Sequence, residues 1–197
     1  MIKIIDNFYD NPNLLRQQAL NMEFYHQGFS KFKEDGTGAW PGKMSKTDIM
    51  PSDFLLKLYN FLQIRFYLPN NEQGFMGSFR LCTVDDNNTR NLVHIDGAGQ
   101  KNDSKYVCII YLTPTQDEEG TKFYKHKITG LTEINSSKEF EQVSPDFNDE
   151  SKWVLESHVP FRYNRAVLFK SNLLHGHGRL FGHDKDTGRL TQVFTLF

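Results

Sequence analysis

A mainly β chain, with a jelly-roll or double-stranded β-helix core and helices packed outside it, is the fold class this sequence predicts. Helical apolar spacing is confined to the first third, and from about residue 74 short apolar runs alternate with Asp, Asn, Gly and Pro clusters to the last residue. Aromatic residues make up 14% of the chain, 17 of them Phe, a composition that strands favour. At 197 residues one domain can bury its own core. Residues 1–73 then read as a helical N-terminal support and 74–197 as the β core of that single domain.

Each element has its own signal. Ile2 to Ile5 reads as a short opening strand. Asn11-Pro12-Asn13 carries helix-start chemistry, and Leu14 to Leu20 continues with helical composition. Gly28 to Lys46, rich in Gly, Lys and aromatics, reads as a long loop, with Trp40 either lining a pocket or pinning the loop to the core. Pro51-Ser52-Asp53 opens a second helix, whose Phe54, Leu55, Leu58, Phe61 and Leu62 form an apolar stripe suited to covering a sheet. Phe75 to Val84 is strand-like and ends in the turn cluster Asp85-Asp86-Asn87-Asn88. Leu92 to Asp96 reads as the next strand, followed by a loop of Gly97, Gly99, Asn102 and Asp103.

The near-continuous apolar run Tyr106 to Leu112 marks a strand buried on both faces, ended by Thr113-Pro114. Gly120 to Tyr124 is a further short strand. Residues 129–152 are polar, charged and without a period, and read as a surface excursion with a short helix near Ser137 to Gln142. Val159 to Tyr163 and Ala166 to Phe169 read as short strands around Asn164-Arg165. Gly176 to Gly188 is a glycine-rich loop, and Leu190 to Phe197 a closing strand.

Several functions are excluded at this level. A formal net charge of -1, with both signs interspersed, offers no basic footprint for nucleic acid. No apolar run approaches the roughly 20 residues of a membrane span, and Met1 to Asp6 is too short for a signal peptide. Cys82 and Cys108 lie inside strand-like runs and read as reduced core residues. A soluble cytoplasmic protein is expected, acting on a small molecule or peptide, with no nucleic-acid or membrane partner; its oligomeric state is open.

Chemistry gathers at Asn91-Leu92-Val93-His94-Ile95-Asp96-Gly97. Residues two apart in a strand share a face, so His94 and Asp96 point the same way, just before a glycine that permits a sharp turn. Two imidazoles and one carboxylate make a facial triad for Fe(II), leaving three coordination positions open. The second histidine is His175, which follows the apolar Leu173-Leu174, or His177 two positions on. A structural zinc site would close with a fourth protein ligand, and the cysteines sit too deep in strands to supply it. On the last strand Arg189 and Thr191 share a face. A guanidinium turned into a barrel is costly unless paired, and a dicarboxylate forking onto Arg189, with the Thr191 hydroxyl adding a hydrogen bond, would resolve the cost.

His94-Ile95-Asp96, Ile109-Ile110-Tyr111-Leu112-Thr113, Gly120-Thr121-Lys122-Phe123, Asn164-Arg165-Ala166-Val167-Leu168-Phe169, His175 and Arg189-Leu190-Thr191 together resemble the non-haem Fe(II)/2-oxoglutarate-dependent oxygenases, in their prolyl-hydroxylase-like branch. The resemblance covers about residues 75–197. It implies that His94, Asp96 and His175 bind Fe(II), and that Arg189 holds the distal carboxylate of the cosubstrate 2-oxoglutarate. Tyr111 would add a cosubstrate contact, with Tyr106 or Thr113 serving on a shifted register. The implied activity is a dioxygenase, a hydroxylase using O₂; Asp96 stands where a halogenase would need a free position. The alternative is a non-catalytic, metal- or ligand-binding cupin-like jelly roll, or a sensor sharing the same site. The sequence departs from the pattern in a longer loop between His175 and Arg189. It also lacks a tyrosine among Phe79 to Thr83, where Arg80 could replace a cosubstrate contact, bind an acidic substrate or form an ion pair.

Overall fold

The computed structural model describes residues 1–26, 41–67, 75–88, 93–96, 105–115 and 119–197. Trp40 and most of its loop, and the expected loop of Gly97, Gly99, Asn102 and Asp103, lie outside the described residues, as do Asn91 and Leu92. In chain order the elements are β1 (Ile2–Ile5), α1 (Pro12–Leu20), β2 (Phe24–His26), β3 (Lys43–Ser45), α2 (Phe54–Leu62), β4 (Met76–Cys82), β5 (Tyr106–Tyr111) and β6 (Thr121–His126). They continue with α3 (Ser137–Val143), β7 (Trp153–Val159), β8 (Ala166–Lys170), β9 (His175–His177) and β10 (Arg189–Leu196). Seven strands form one sheet in the order β1-β8-β5-β10-β4-β3-β2, and three form a second in the order β7-β6-β9. Every pairing is antiparallel. No helix among the described residues is long and apolar enough to cross a membrane.

Strand β10 shows how the sequence divides the molecule. All eight of its residues are buried, and side chains alternate between the two faces. Leu190, Phe194 and Leu196 join a core cluster with Leu15 and Ala19 of α1 and Phe54 and Leu58 of α2. There the Phe54 ring stacks on Phe194 at 3.7 Å. Gln192, on the same face, is satisfied rather than excluded: its Nε2 donates to the Ile49 carbonyl at 2.6 Å, and its Oε1 accepts from the Tyr9 hydroxyl at 2.7 Å. On the opposite face Val193 belongs to a second cluster, in which Val107, Val167 and Phe169 of the large sheet meet Phe123 and Val159 of the small one. The layer between the two sheets is therefore where a site can be enclosed.

The helices start and stop as their chemistry dictates. The Asn11 side chain accepts from the Leu14 amide at 3.3 Å and Pro12 takes the first turn. Helix α2 ends on Gln63 in the left-handed conformation. Its stripe buries Phe54 and Leu58 completely, but Phe61 is turned outward, 55% exposed, because nine residues hold only two and a half turns and one sheet face accepts a narrower stripe.

Five expectations are corrected. Lys43–Ser45 is a strand inside the expected loop, because pairing with β2 and β4 supplies its hydrogen bonds. Leu92 to Asp96 makes, within 93–96, a single bridge rather than a strand. The strand expected at Val159 to Tyr163 instead runs from Trp153 to Val159, and Pro160, lacking an N–H, ends it. Gly176 and His177 form a strand with His175 rather than opening the glycine-rich loop. Residues 129–152 are not a surface excursion throughout: Ile134, Val143 and Phe147 pack with Val93, Ile95, Trp153 and Leu174 in a third core cluster. The first 73 residues also contribute β1, β2 and β3 to the large sheet, beyond their helices.

The N-terminal segment is strapped to the corner between β7 and β8. Asn164, at φ 61°, accepts from the Tyr9 amide and donates to the Tyr9 carbonyl, both at 2.8 Å. Beside it Arg165 forks onto Asp6 at 2.6 and 3.0 Å. Hydrogen bonding from Arg165 holds the Asp6 carboxyl below its ordinary value against the pull of burial, with the charges of Arg165 and Arg162 adding to it. A carboxyl whose folded-state pKa is depressed stabilises the fold above its ordinary range and loses that contribution as pH falls through the folded value. Asp6→Asn is expected to lower the melting temperature at neutral pH and to match the wild type once the medium is acid enough to protonate Asp6. Melting curves across that range check it; a difference that persists in acid would assign the effect to packing.

Candidate metal centre

The triad is built by backbone pairing before any side chain acts. The His94 amide donates to the His175 carbonyl at 2.8 Å and the His175 amide to the His94 carbonyl at 2.9 Å. Two residues on, the Asp96 amide donates to Ser171 at 2.9 Å. Val93 and Ile95 are buried in the third cluster, which leaves His94 and Asp96 to face the other way. His175 lies in β9 opposite Phe123 of β6, and its ring packs edge-on against Phe169, centroids 4.6 Å apart.

Nitrogen and oxygen donors converge there. The ligand atoms of His94, Asp96 and His175 lie within 4.8 Å of one another. His175 Nε2 stands 3.2 Å from one Asp96 oxygen, and His94 Nε2 stands 3.7 Å from the other. Two donors at right angles, each about 2.1 Å from one ion, would be about 3 Å apart, so the Asp96–His175 spacing already suits a first-row divalent cation, and the His94 donor, farther out, would move inward to join it. His175 Nδ1 donates to the Leu173 carbonyl at 2.8 Å. With Nδ1 so engaged, Nε2 is left to donate to Asp96 in the metal-free protein, and its lone pair would be the one offered to a bound cation.

Protonation agrees with geometry. Burial drives the His94 imidazole down to about 3, with His175 reinforcing it. Burial raises Asp96, but the charge and hydrogen bond of His175, with His94 and Arg80, outweigh it and bring the carboxyl to about 2. At neutral pH the carboxylate is ionised and the His94 ring neutral, as ligands must be. Among the described residues no fourth His, Cys, Asp or Glu joins the group; Cys82 and Cys108 are buried free thiols elsewhere.

His177, the other candidate, is not drawn into the group. Its Nδ1 donates to the Gly178 carbonyl at 2.7 Å, and burial pulls its pKa down to about 4.

Arg189, Thr191 and Tyr111 are brought together on the inner face of the large sheet. Thr191 stands opposite Tyr111 across β10 and β5. Tyr111 stacks on Phe161 at 4.3 Å, and the Arg189 guanidinium lies 5.7 and 5.6 Å from the two ring centroids. Arg189 is 4% exposed and its Nε has no hydrogen-bond partner. The Tyr111 hydroxyl meets the Thr121 hydroxyl at 2.7 Å. Gly120 permits this approach, since a Cβ there would lie 2.8 Å from the Tyr111 hydroxyl and closer still to the Val159 carbonyl. The shifted-register alternatives point elsewhere: Tyr106 packs edge-on against Phe66, and the Thr113 hydroxyl donates to the Gly188 carbonyl at 2.7 Å. Sequence reasoning missed Phe161, which follows a proline in an irregular stretch and carries no spacing signal.

A family model described as "Family of unknown function (DUF6445)" matches residues 1–196. No curated protein matches the chain by sequence. Several solved structures share its fold. A non-haem α-ketoglutarate-dependent carbocyclase, SnoK, from nogalamycin biosynthesis is 12% identical with a TM-score of 0.55, over 99% of this chain and 79% of that one. The α-ketoglutarate-dependent epimerase SnoN, from the same biosynthesis, is 12% identical with a TM-score of 0.54, over 98% and 78%. HygX from Streptomyces hygroscopicus, with nickel and 2-oxoglutarate bound, is 13% identical with a TM-score of 0.51, over 98% and 82%. At these identities the likeness is one of fold.

Proposed function

The chain belongs to the DUF6445 family, a family of unknown function, and from that starting point we propose that it is an Fe(II)/2-oxoglutarate-dependent dioxygenase, a hydroxylase built on a double-stranded β-helix. One observation carries the reading. The His94, Asp96 and His175 donors and Arg189, whose Nε has no hydrogen-bond partner, border the same layer between the sheets, His175 against Phe169 and Arg189 against Tyr111 and Phe161. A cation site and an anion site enclosed together suit a dicarboxylate cosubstrate that chelates a metal at one end. The β-helix reading is supported by the order β8-β5-β10-β4 facing β7-β6-β9, with the His94 bridge extending the second layer beyond β9. Hydroxylation as the outcome is supported by the prolyl-hydroxylase-like resemblance of the core motifs.

Bound together, iron, 2-oxoglutarate and O₂ would supply the oxidising chemistry. The chain's own residues do the rest. His94 Nε2, His175 Nε2 and an Asp96 oxygen would hold the cation. Asp96 also lowers the charge of the centre by one. Arg189 receives the distal carboxylate, steadied by the Tyr111 and Phe161 rings, and the Thr191 hydroxyl adds a hydrogen bond. Val107, Val193 and Phe169 line the layer and exclude water, which strengthens each of these charged contacts. With Asp96 in the ligand set, and 2-oxoglutarate and O₂ needing the remaining positions, none would be left for a halide, so hydroxylation rather than halogenation is expected.

The test is succinate formation from 2-oxoglutarate with added Fe(II), compared with the His94→Ala variant. Iron-dependent succinate from the wild type alone supports the reading. A protein that forms no succinate and holds only a stoichiometric, non-exchangeable zinc would be the non-catalytic jelly roll instead.

A further inference from the structure

Both segments that carry the metal ligands rest on the polar stretch between β6 and β7. The Val93 amide, one residue before His94, donates to the Phe147 carbonyl at 3.1 Å. The Leu174 amide, one residue before His175, donates to the Thr132 carbonyl at 2.9 Å, and Glu133 bridges to Leu173 beside it. Side chains repeat the arrangement. Val93, Ile95 and Leu174 pack away from the donors, against Ile134, Val143, Phe147 and Trp153. The aim of His94 and Asp96 is therefore set from behind, by a wall made of residues 132–153.

What pins that wall is His126, the last residue of β6 and only 1% exposed. Its two ring nitrogens reach the two ends of the stretch. Nδ1 lies 2.9 Å from the Thr129 hydroxyl, and Nε2 lies 3.0 Å from an Asp146 oxygen. A carboxylate accepts, so Nε2 donates to it, and in the neutral ring Nδ1 then accepts from Thr129. The Thr129 oxygen takes the Leu131 amide at 3.3 Å, which leaves its own proton for that bond. Trp153 stands opposite His126 across β6 and β7, with the rings 5.0 Å apart. Its Nε1 donates to the Asp146 carbonyl at 2.9 Å. Asp146 is thus held at both its carboxylate and its carbonyl, and the next carbonyl along the chain is the one Val93 uses. Without His126 the half-buried Asp146 carboxylate would lose its donor and gain by turning toward water. Phe147 would shift with it, and Val93 with Phe147.

We propose that His126 is a positioning residue of the metal centre: through Asp146 and the Phe147 carbonyl it fixes where Val93 sits, and so where His94 points. His94 is the ligand this decides, because its donor stands farther from Asp96 than that of His175, 3.7 against 3.2 Å. The inference rests on the metal-centre reading and deepens it with a residue from outside the group of donors.

Co(II) titration of the full chain, read by affinity and by ligand-field spectrum well below each melting temperature, keeps the two ideas separable. A wild type that takes up no Co(II) overturns the metal-centre reading, and this inference with it. Where the wild type binds, Asp146→Ala and His126→Phe are expected to weaken Co(II) about 10-fold and to change its spectrum. That is the lower end of what losing a ligand's own hydrogen-bond partner costs. His126→Phe keeps a ring against Trp153 without the hydrogen bonds; should it not fold, the Asp146 variants decide alone. Asp146→Asn keeps an oxygen that accepts from Nε2 and is expected to retain wild-type affinity and spectrum. Asp6→Asn, weakened at the N-terminal strap, shows what lost stability does by itself, and its Co(II) affinity and spectrum are expected to be unchanged. The proposal is overturned if Asp146→Ala binds Co(II) as the wild type does, or if Asp146→Asn or Asp6→Asn loses as much as Asp146→Ala. A fall in affinity with an unaltered spectrum would make the His126 brace purely structural and overturn it equally.

Discussion

Alanine at position 175 is expected to strip the protein of its metal, whereas alanine at position 177 is not. The two histidines lie on one short strand and differ in what fixes them. His175 Nδ1 is held by the Leu173 carbonyl, which leaves Nε2 3.2 Å from Asp96. His177 is tied to the Gly178 carbonyl and stands outside the group of donors. Loss of a mere outer hydrogen-bond partner weakens metal affinity about 10–100-fold, so loss of a ligand is expected to exceed that. Co(II) titration, followed by its ligand-field spectrum, would measure both variants. Because the His175 side chain is only 3% exposed, melting temperatures in chelator separate lost packing from lost coordination. Metal loss in His177→Ala with retention in His175→Ala would sink the assignment.

Arg189→Met is expected to abolish tight binding of 2-oxoglutarate while leaving the ligand-free fold no less stable. The opposing contributions are of similar size. A buried N–H without a partner costs about 1–3 kcal/mol, and the two aromatic faces beside the guanidinium return about 0.5–2 kcal/mol. Methionine fills much of the same volume with no polar atom, so the ligand-free variant should lie within about 1 kcal/mol of wild type or above it. Bound ligand reverses the balance, since truncating one partner of a buried charge pair costs about 2–5 kcal/mol, roughly 30- to several-thousand-fold in affinity. Urea denaturation and calorimetric titration read the two halves. A variant that is strongly destabilised yet binds 2-oxoglutarate normally would make Arg189 a structural residue.

What could be read in the sequence was what its periodicity encodes. The apolar run of β5, the alternation of β10 and the stripe of α2 all reflect burial on defined faces, and the same period placed His94 beside Asp96 and Arg189 beside Thr191. Strand β7 was shifted because its interior, from Val154 to His158, is exposed on both faces and therefore has no apolar alternation to read. Strand β9 is His-Gly-His, with no strand composition at all; its conformation is imposed by pairing with β6. The third cluster carries no sequence signal, because Ile134, Val143, Phe147 and Trp153 recur at no fixed interval along an irregular path. Tertiary partners, rather than local preference, decide such segments.

The uninterrupted burial of β10 has one more consequence, for the lengths this chain can tolerate. Arg189 and Thr191 face the site while Leu190 and Gln192 face the helices, so one residue inserted within the strand would send a leucine inward and a guanidinium into the packed core. Strand β4 already absorbs one such offset, where Val193 pairs with Ser78 and Phe194 with Met76, and it does so with Gly77 at φ 102°. The turn just upstream is different: Asp184 caps the amides of Asp186 and Thr187 at an exposed tip. Gains and losses of single residues should therefore accumulate in that tip and be purged from the eight positions that follow it so closely.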